Sequence, residues 1–404
     1  MEKNLSFLCI SCFLKGQIFL RALKAAGNTV YLVTKKSLEH ADWPRESLDD
    51  LFFLDTDENT PENLNQLSLG LAHLMRSRKI DRIVALDDFD VEKAAYLREE
   101  YRIPGMGSTT ARYFRDKLAM RIQARDAGIP VPEFSPLFHD DDIRHYAREV
   151  KGPWLVKPRS EASATGIKKI HSEEELWPVL DGLGENRHRF LIESFKPGDV
   201  YHADALYMQG KALFCRTSRY LTPPFDVAHG GGIFRSVTVD FDTWEDASLK
   251  ELTDKVMKAF GMRSSASHTE FIKSRETGQF YFLETSSRVG GAHLSDMIEK
   301  SSGINLWHEW AMLEDAVAKD IRYKIPTPRK DFAGVLISLS RQEHPDMSPF
   351  QAPEVVWRLA KKSHVGFIVQ SPEKKRVLEL LDEYAAIVQR DYLASAPPPD
   401  HPKD

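Results

Sequence analysis

Cysteine is scarce: the 404 residues hold three, Cys9, Cys12 and Cys215. Three thiols build no disulfide framework, and their scarcity suits a reducing, cytoplasmic setting. Cys9 and Cys12 form a Cys-x-x-Cys, but inside the apolar run LSFLCISCFL rather than at a helix start, where a redox pair gains its lowered pKa. They read as buried structural thiols. Long hydrophobic runs are missing too. None approaches the ~20 residues that a membrane-spanning helix needs, so no membrane partner is expected. The run after Lys3 has no small-residue cleavage site behind it and reads as the first strand rather than a signal peptide. A basic block is also absent: Lys and Arg number 55 against 60 Asp and Glu, a formal net charge of -5. A nucleic-acid partner therefore lacks its electrostatic footprint. Glycine, finally, is missing where a dinucleotide fold wants G-x-G-x-x-G, since the turn after the first strand reads SCFLKGQ. NAD or FAD binding is not expected.

What is present is ordinary soluble composition, 42% hydrophobic and 28% charged, in a length that suits about two to three domains. From Leu5 to about Tyr113, strand-like and helix-like patterns alternate: LSFLCISCF, GQIFLRALKAAG, NTVYLV, LFFLD, ENLNQLSLGLAHLMRSR, DRIVAL and VEKAAYLREEY. This βαβ succession predicts an open, mostly parallel sheet. Asp87 and Asp88 close the DRIVAL strand at the ligand-binding carboxyl edge and read as an acidic turn. Ser108 reads as the cap of one long helix carrying Phe114, Lys117, Leu118, Ile122 and Ala124, stopped by Gly128 and Pro130.

Chemistry begins with Lys157 in the strand WLVKPR, where a charge among apolar residues calls for an anion. Behind it the small-residue run Ser160, Ala162, Ser163, Ala164, Thr165 and Gly166 can fold over phosphates, although a plain hairpin tip has the same composition. In RFLIESFKPGDVYHADALYM a strand ends at Glu193-Ser194-Phe195, able to offer backbone groups to a purine, and His202 and Asp204 share one face of the next strand. Charge pairing explains Glu193 equally well. The stretch RTSRYLTPPFDVAHGGGIFRSVTV, with Arg216, Arg219 and Gly230 to Gly232, reads as a loop-rich excursion that carries substrate contacts.

Two runs, His268 to Ile272 and Gln279 to Glu284, fit a hairpin turning through Gly278. Glu270 and Glu284 then face one cleft, where they would repel unless a divalent cation such as Mg²⁺ neutralised them. Arg288 can grip a carboxylate or phosphate bidentately, and Gly290-Gly291 allows close backbone approach. A surface hairpin with two ion-paired glutamates is the alternative, and it leaves Arg288 and the glycines without explanation. Prolines in RYKIPTPRKD mark a boundary before a tail unit, about Phe332 to Leu393, and APPPDHPKD is expected to be disordered.

Taken in order, DKLAMR, WLVKPRSEASATGI, FLIESFKPG, HTEF and FLETSSR resemble the motifs of the ATP-grasp superfamily, in its carboxylate-amine ligase branch. The branch includes L-amino acid ligases and, more distantly, biotin carboxylases and D-alanine ligases. The resemblance spans nearly the whole chain. It implies an α/β and α+β protein: a Rossmann-like preATP-grasp domain at 1–111, a two-lobed ATP-grasp fold at 112–329 with a mobile lid at about 118–190, a small α+β C-terminal domain at 330–393 and a disordered tail at 394–404. It implies ATP and Mg²⁺, with Lys117 and Lys157 on the phosphates, Ser160, Ser163, Ala164, Thr165 and Gly166 in the phosphate loop, and Glu193, Phe195 and Asp204 elsewhere around the nucleotide. Glu270, Glu284 and Ser286 would hold the metal, Ser286 standing where the family usually has Asn. Arg288, with Lys157, would be catalytic. The implied reaction joins a small carboxylate to an amine through an acyl phosphate, with a homodimer as the expected assembly. A biotin-carboxylase-like carboxylase, a kinase and a non-catalytic nucleotide-binding protein are the alternatives.

Overall fold

The computed structural model describes residues 4–161, 165–225, 227 and 232–394. The expectations for Ala162, Ser163, Ala164, Gly230, Gly231 and the tail from residue 395 lie outside them.

Strands β1 (Ser6–Ile10), β2 (Thr29–Lys35), β3 (Asp50–Leu54) and β4 (Arg82–Ala85) form a parallel sheet in the order β3-β2-β1-β4. Helices Gln17–Ala25, Pro61–Met75 and Val91–Tyr101 alternate with these strands. Covering by helices explains why β1 and β2 read as nearly unbroken apolar runs. Cys9 and Cys12 are both fully buried, and burial pushes both thiols up, which disfavours the reactive thiolate. Phe19 meets Trp310 edge-on at 4.9 Å, packing this sheet's first helix onto the helix Leu306–Lys319.

A small antiparallel sheet follows: β5 (Phe134–Pro136), β6 (Trp154–Pro158), β7 (Lys168–Ile170) and β8 (Phe190–Ser194), ordered β5-β8-β6-β7. Trp154, Val156 and Ile192 pack with Ile143 and Leu176 of the helices Asp140–Glu149 and Glu173–Leu183 into a core of its own. The third sheet has eight antiparallel strands, β9 (Gly198–Met208), β10 (Lys211–Tyr220), β11 (Phe234–Thr238), β12 (Ser265–Ser274), β13 (Phe280–Ser286), β14 (Phe332–Leu339), β15 (Val355–Arg358) and β16 (His364–Ser371). Their order is β13-β12-β9-β10-β11-β14-β16-β15. The tail therefore builds no sheet of its own: β14 pairs with β11, Phe234 opposite Ile337.

Two local expectations are corrected. The long helix from Ser108 is two helices, Ser108–Arg112 and Lys117–Asp126. Asp116 is the true start signal, its carboxylate accepting from the N–H groups of Leu118 and Ala119, whereas Ser108 spends its N–H and hydroxyl on Glu99. Arg216 and Arg219 stand on β10, not in a loop, and Arg216 is buried with its guanidinium 3.9 Å from the Phe241 ring centre.

Candidate active site

A cavity of about 670 Å³ opens between the three sheets, within the size range of small-molecule sites. Lys117, Lys157, Glu193, Glu270, Glu284, Ser286 and Arg288 all contribute to its wall, so residues spread over most of the chain converge on one space.

The β12–β13 hairpin sets the two acids. Glu270 lies directly opposite Glu284 in the register, with a bulge between Glu270 and Phe271. Beside them Thr269 and Thr285 join hydroxyls at 2.8 Å, a buried cross-strand bond that fixes the pairing. Glu284 lies 2.8 Å from Lys117 Nζ, and its side chain is 35% exposed to the cavity. Glu270 accepts from the Tyr220 hydroxyl at 2.7 Å, with His268 Nε2 at 3.5 Å. Burial, then the Glu270 charge, raises the Tyr220 hydroxyl far above its usual range, so it stays a donor. Two carboxylates on adjacent strands, both reaching open space and each met by one positive group, fit a divalent cation. Ser286, at the end of the same strand, can add a hydroxyl.

Lys117 opens its helix, and Nζ also donates to the Glu161 carbonyl at 2.7 Å, tying that helix to the segment after β6. Asp116 pairs with Arg159 across the same joint. Thr165 lines the cavity; Gly166 has φ 71°, and a Cβ there would stand 2.9 Å from Pro158. Ser160 is exposed and is not part of the wall.

Lys157 finds its anion within the protein: Nζ contacts Glu193, whose other oxygen takes Arg121 Nε at 2.9 Å. Burial brings the Lys157 amine down to about 8 against the opposing pull of Glu193. Arg121 and Lys157 hold the Glu193 carboxyl below its usual range although burial works the other way. Glu193 therefore acts through its side chain. Its backbone sits in β8 between β5 and β6, where the ladder engages it, so the expected backbone contact with a purine is corrected. Phe195 is in the wall, but its N–H is given to the Pro153 carbonyl at 3.0 Å. Arg121, fully buried, was not singled out in the sequence; it stands one helical turn after Lys117 in DKLAMR, on the same face.

Asp204 is also corrected. It is wholly buried behind the wall, accepting from His202 Nδ1 at 2.7 Å and His268 Nδ1 at 2.8 Å. Burial opposes a charge on His268, but Asp204 and Glu270 push it up to about 10. Gly290 is required here, because a Cβ would stand 2.8 Å from Asp204 Oδ1 and 2.9 Å from His268 Nδ1. Arg288 is held by Asp88, whose turn was read only as an acidic one.

Residues 124–207 match the family model described as D-ala D-ala ligase C-terminus. An L-arginine-specific L-amino acid ligase of Bacillus subtilis is 29% identical over 243 residues, which is 59% of this chain and 58% of that relative. Among solved structures, the L-amino acid ligase from Bacillus licheniformis superposes with a TM-score of 0.75 over 98% of this chain and 100% of its own, at 15% identity. The carboxyaminoimidazole ribonucleotide synthase of Aspergillus clavatus, solved with ATP, gives 0.71 over 96% and 99%, at 12% identity. The chain is thus similar in sequence to amino acid ligases, and its fold is that of the ATP-grasp ligases. In this ATP-grasp fold the small sheet carries Lys157 and Glu193, the large sheet carries Glu270 and Glu284, and Lys117 opens the helix beside them, so the cleft brings both amines and both hairpin carboxylates together.

Proposed function

We propose that the protein is an ATP-dependent carboxylate-amine ligase that joins amino acids or small carboxylic acids to an amine through an acyl phosphate, releasing ADP and phosphate. The observation that carries this reading is the Glu270–Glu284 pair, set opposite in register on the wall of a cavity that Lys117 and Lys157 also enter. Phosphoryl transfer asks a protein for positioning and charge neutralisation rather than a covalent nucleophile. Lys117 and Lys157 place positive charge for the phosphates, while Glu270, Glu284 and Ser286 would hold Mg²⁺. Bound there, the metal supplies neutralisation of the charge that develops on the transferring group. Arg288, aimed by Asp88, orients the reacting carboxylate or phosphoryl group. The lobe bearing β5 to β8 closes over the cleft and excludes water, which would otherwise hydrolyse the acyl phosphate.

The test is phosphate release from MgATP with a matrix of amino acids and small carboxylates. Release that requires both an acid and an amine, with the coupled product found by mass spectrometry, supports the ligase reading. Release that depends on bicarbonate, or on a hydroxyl acceptor without an amine, overturns it.

A further inference from the structure

Besides Arg288 the cavity wall contains Arg275, which pairs with Asp199, and Arg115. Arg115 lies in the segment between the helices Ser108–Arg112 and Lys117–Asp126, is 8% exposed, and faces the cavity. Its guanidinium carbon sits 4.1 Å from the Phe89 ring centre, which fixes the plane of the group. Its backbone N–H is given to the Arg112 carbonyl at 3.1 Å, but among the described residues its guanidinium has no hydrogen-bond or ion-pair partner. Asp88 feels the Arg115 charge without a hydrogen bond to it, and the hydrogen bonds of the two nearby acids are committed elsewhere. Asp116 serves Arg159 and the helix N-terminus, while Asp88 gives Oδ2 to Arg288 and leaves Oδ1 buried without a partner. An unpaired guanidinium kept nine-tenths buried is costly unless an anion meets it.

The proposed ligase chemistry, on which this inference rests, supplies such an anion. The carboxylate that becomes activated belongs beside Glu270, Glu284 and Arg288. An amino acid acting as the amine brings a second carboxylate, which does not react and still needs a counter-charge. We propose that Arg115 anchors this unreacted carboxylate and so selects amino acids over simple amines as the nucleophile. Phe89 holds the donor fork in place before the ligand arrives, which lowers the ordering cost of binding.

The experiment uses the full chain and two variants, R115M and R115K. Each is titrated by calorimetry, with MgADP present, against the standard L-amino acids and their carboxamides, which keep the amine and lose the charge. At least one amino acid is expected to bind the wild type roughly ten- to a hundredfold tighter than its amide, the range of a charge-assisted pair. R115M should erase that ratio, R115K should retain part of it, and all three proteins should bind MgADP alike. An unchanged ratio in R115M, or no acid-over-amide preference in the wild type, overturns the assignment. Weakened MgADP binding in R115M gives Arg115 to the nucleotide and also overturns it. Thermal unfolding is the fold control: R115M loses the Phe89 contact and a charge that favours the Asp88 carboxylate, so a modestly lower melting temperature is expected, and the acid-over-amide ratio of the folded variant decides. The ligase reading fails separately, by absence of amine-dependent phosphate release, and the acid-over-amide ratio stays measurable if it does.

Discussion

Asp88 and Arg288 lie 200 positions apart in the chain and meet as an ion pair in the cavity wall, Arg288 Nε 3.0 Å from Asp88 Oδ2. The pair ties the carboxyl end of the parallel sheet to the segment just after the metal-type hairpin. Burial opposes both charges, and each carries the other: Arg288 and then Arg115 bring the Asp88 carboxyl down to about 2, and Asp88 raises Arg288 above its usual range. Asp88→Asn should therefore lower stability by about 3–5 kcal/mol, since it strands a buried guanidinium beside Arg115. Combining it with Arg288→Met should recover much of that loss, which a double-mutant cycle in urea measures. A depressed carboxylate stabilises above its unfolded value and loses that contribution as pH falls through its folded value. The Asp88 share should thus be present above about pH 4 and vanish toward pH 2, a step that Asp88→Asn lacks.

Lys157 gives a prediction at the basic end. Its amine titrates near 8 with Glu193 as its partner, and phosphates arriving in the cavity would raise that value. MgATP binding near pH 8 should then take up a fraction of a proton, up to about half of one per site, seen as a buffer-dependent heat in calorimetry. Lys157→Arg should abolish the uptake, and Lys157→Ala should weaken nucleotide binding severely. Equal heats in buffers of different ionisation enthalpy would remove Lys157 from the phosphate site.

The buried His202–Asp204–His268 group predicts a stability effect with the opposite sign. His268 is raised in the folded protein to about 10, so the stability it shares with Asp204 is fully present below about pH 6.5 and is lost as pH rises through 10. Asp204→Asn should flatten that dependence and cost about 3–5 kcal/mol at pH 6, because the buried His268 loses its counter-charge and one of the two acceptor oxygens becomes a donor. Thermal melts from pH 6 to 10 decide it; parallel curves for the two proteins would contradict it.

Much of this was legible in the residues, for physical reasons. Alternating strand and helix patterns give the parallel sheet, since a sheet covered by helices leaves apolar runs, and the period of two in HTEF and FYFLET puts the acids on a common cleft. Charged partners chosen by tertiary contact were not legible. Nothing local in DRIVALDD says that Asp88 meets Arg288, or that Arg121 and Lys157 share Glu193, because those choices depend on how three sheets close on one another. Asp204 misled because strand alternation fixes which face a side chain takes but not whether that face is cavity or interior. The break before Asp116 was readable in principle, Asp being a strong cap, yet the apolar stripe on both sides of it matched one continuous helix.

The central claim is that Glu270 and Glu284 hold the metal on which phosphoryl transfer depends. Glu284→Gln keeps the shape and an acceptor oxygen while removing one charge from the pair and from Lys117. Phosphate release followed against Mg²⁺ concentration in this variant is the most direct measurement, with thermal unfolding as the fold control. The account predicts a folded protein whose turnover falls by at least about 100-fold, with far higher Mg²⁺ needed for what remains. Wild-type turnover with wild-type Mg²⁺ dependence would contradict it.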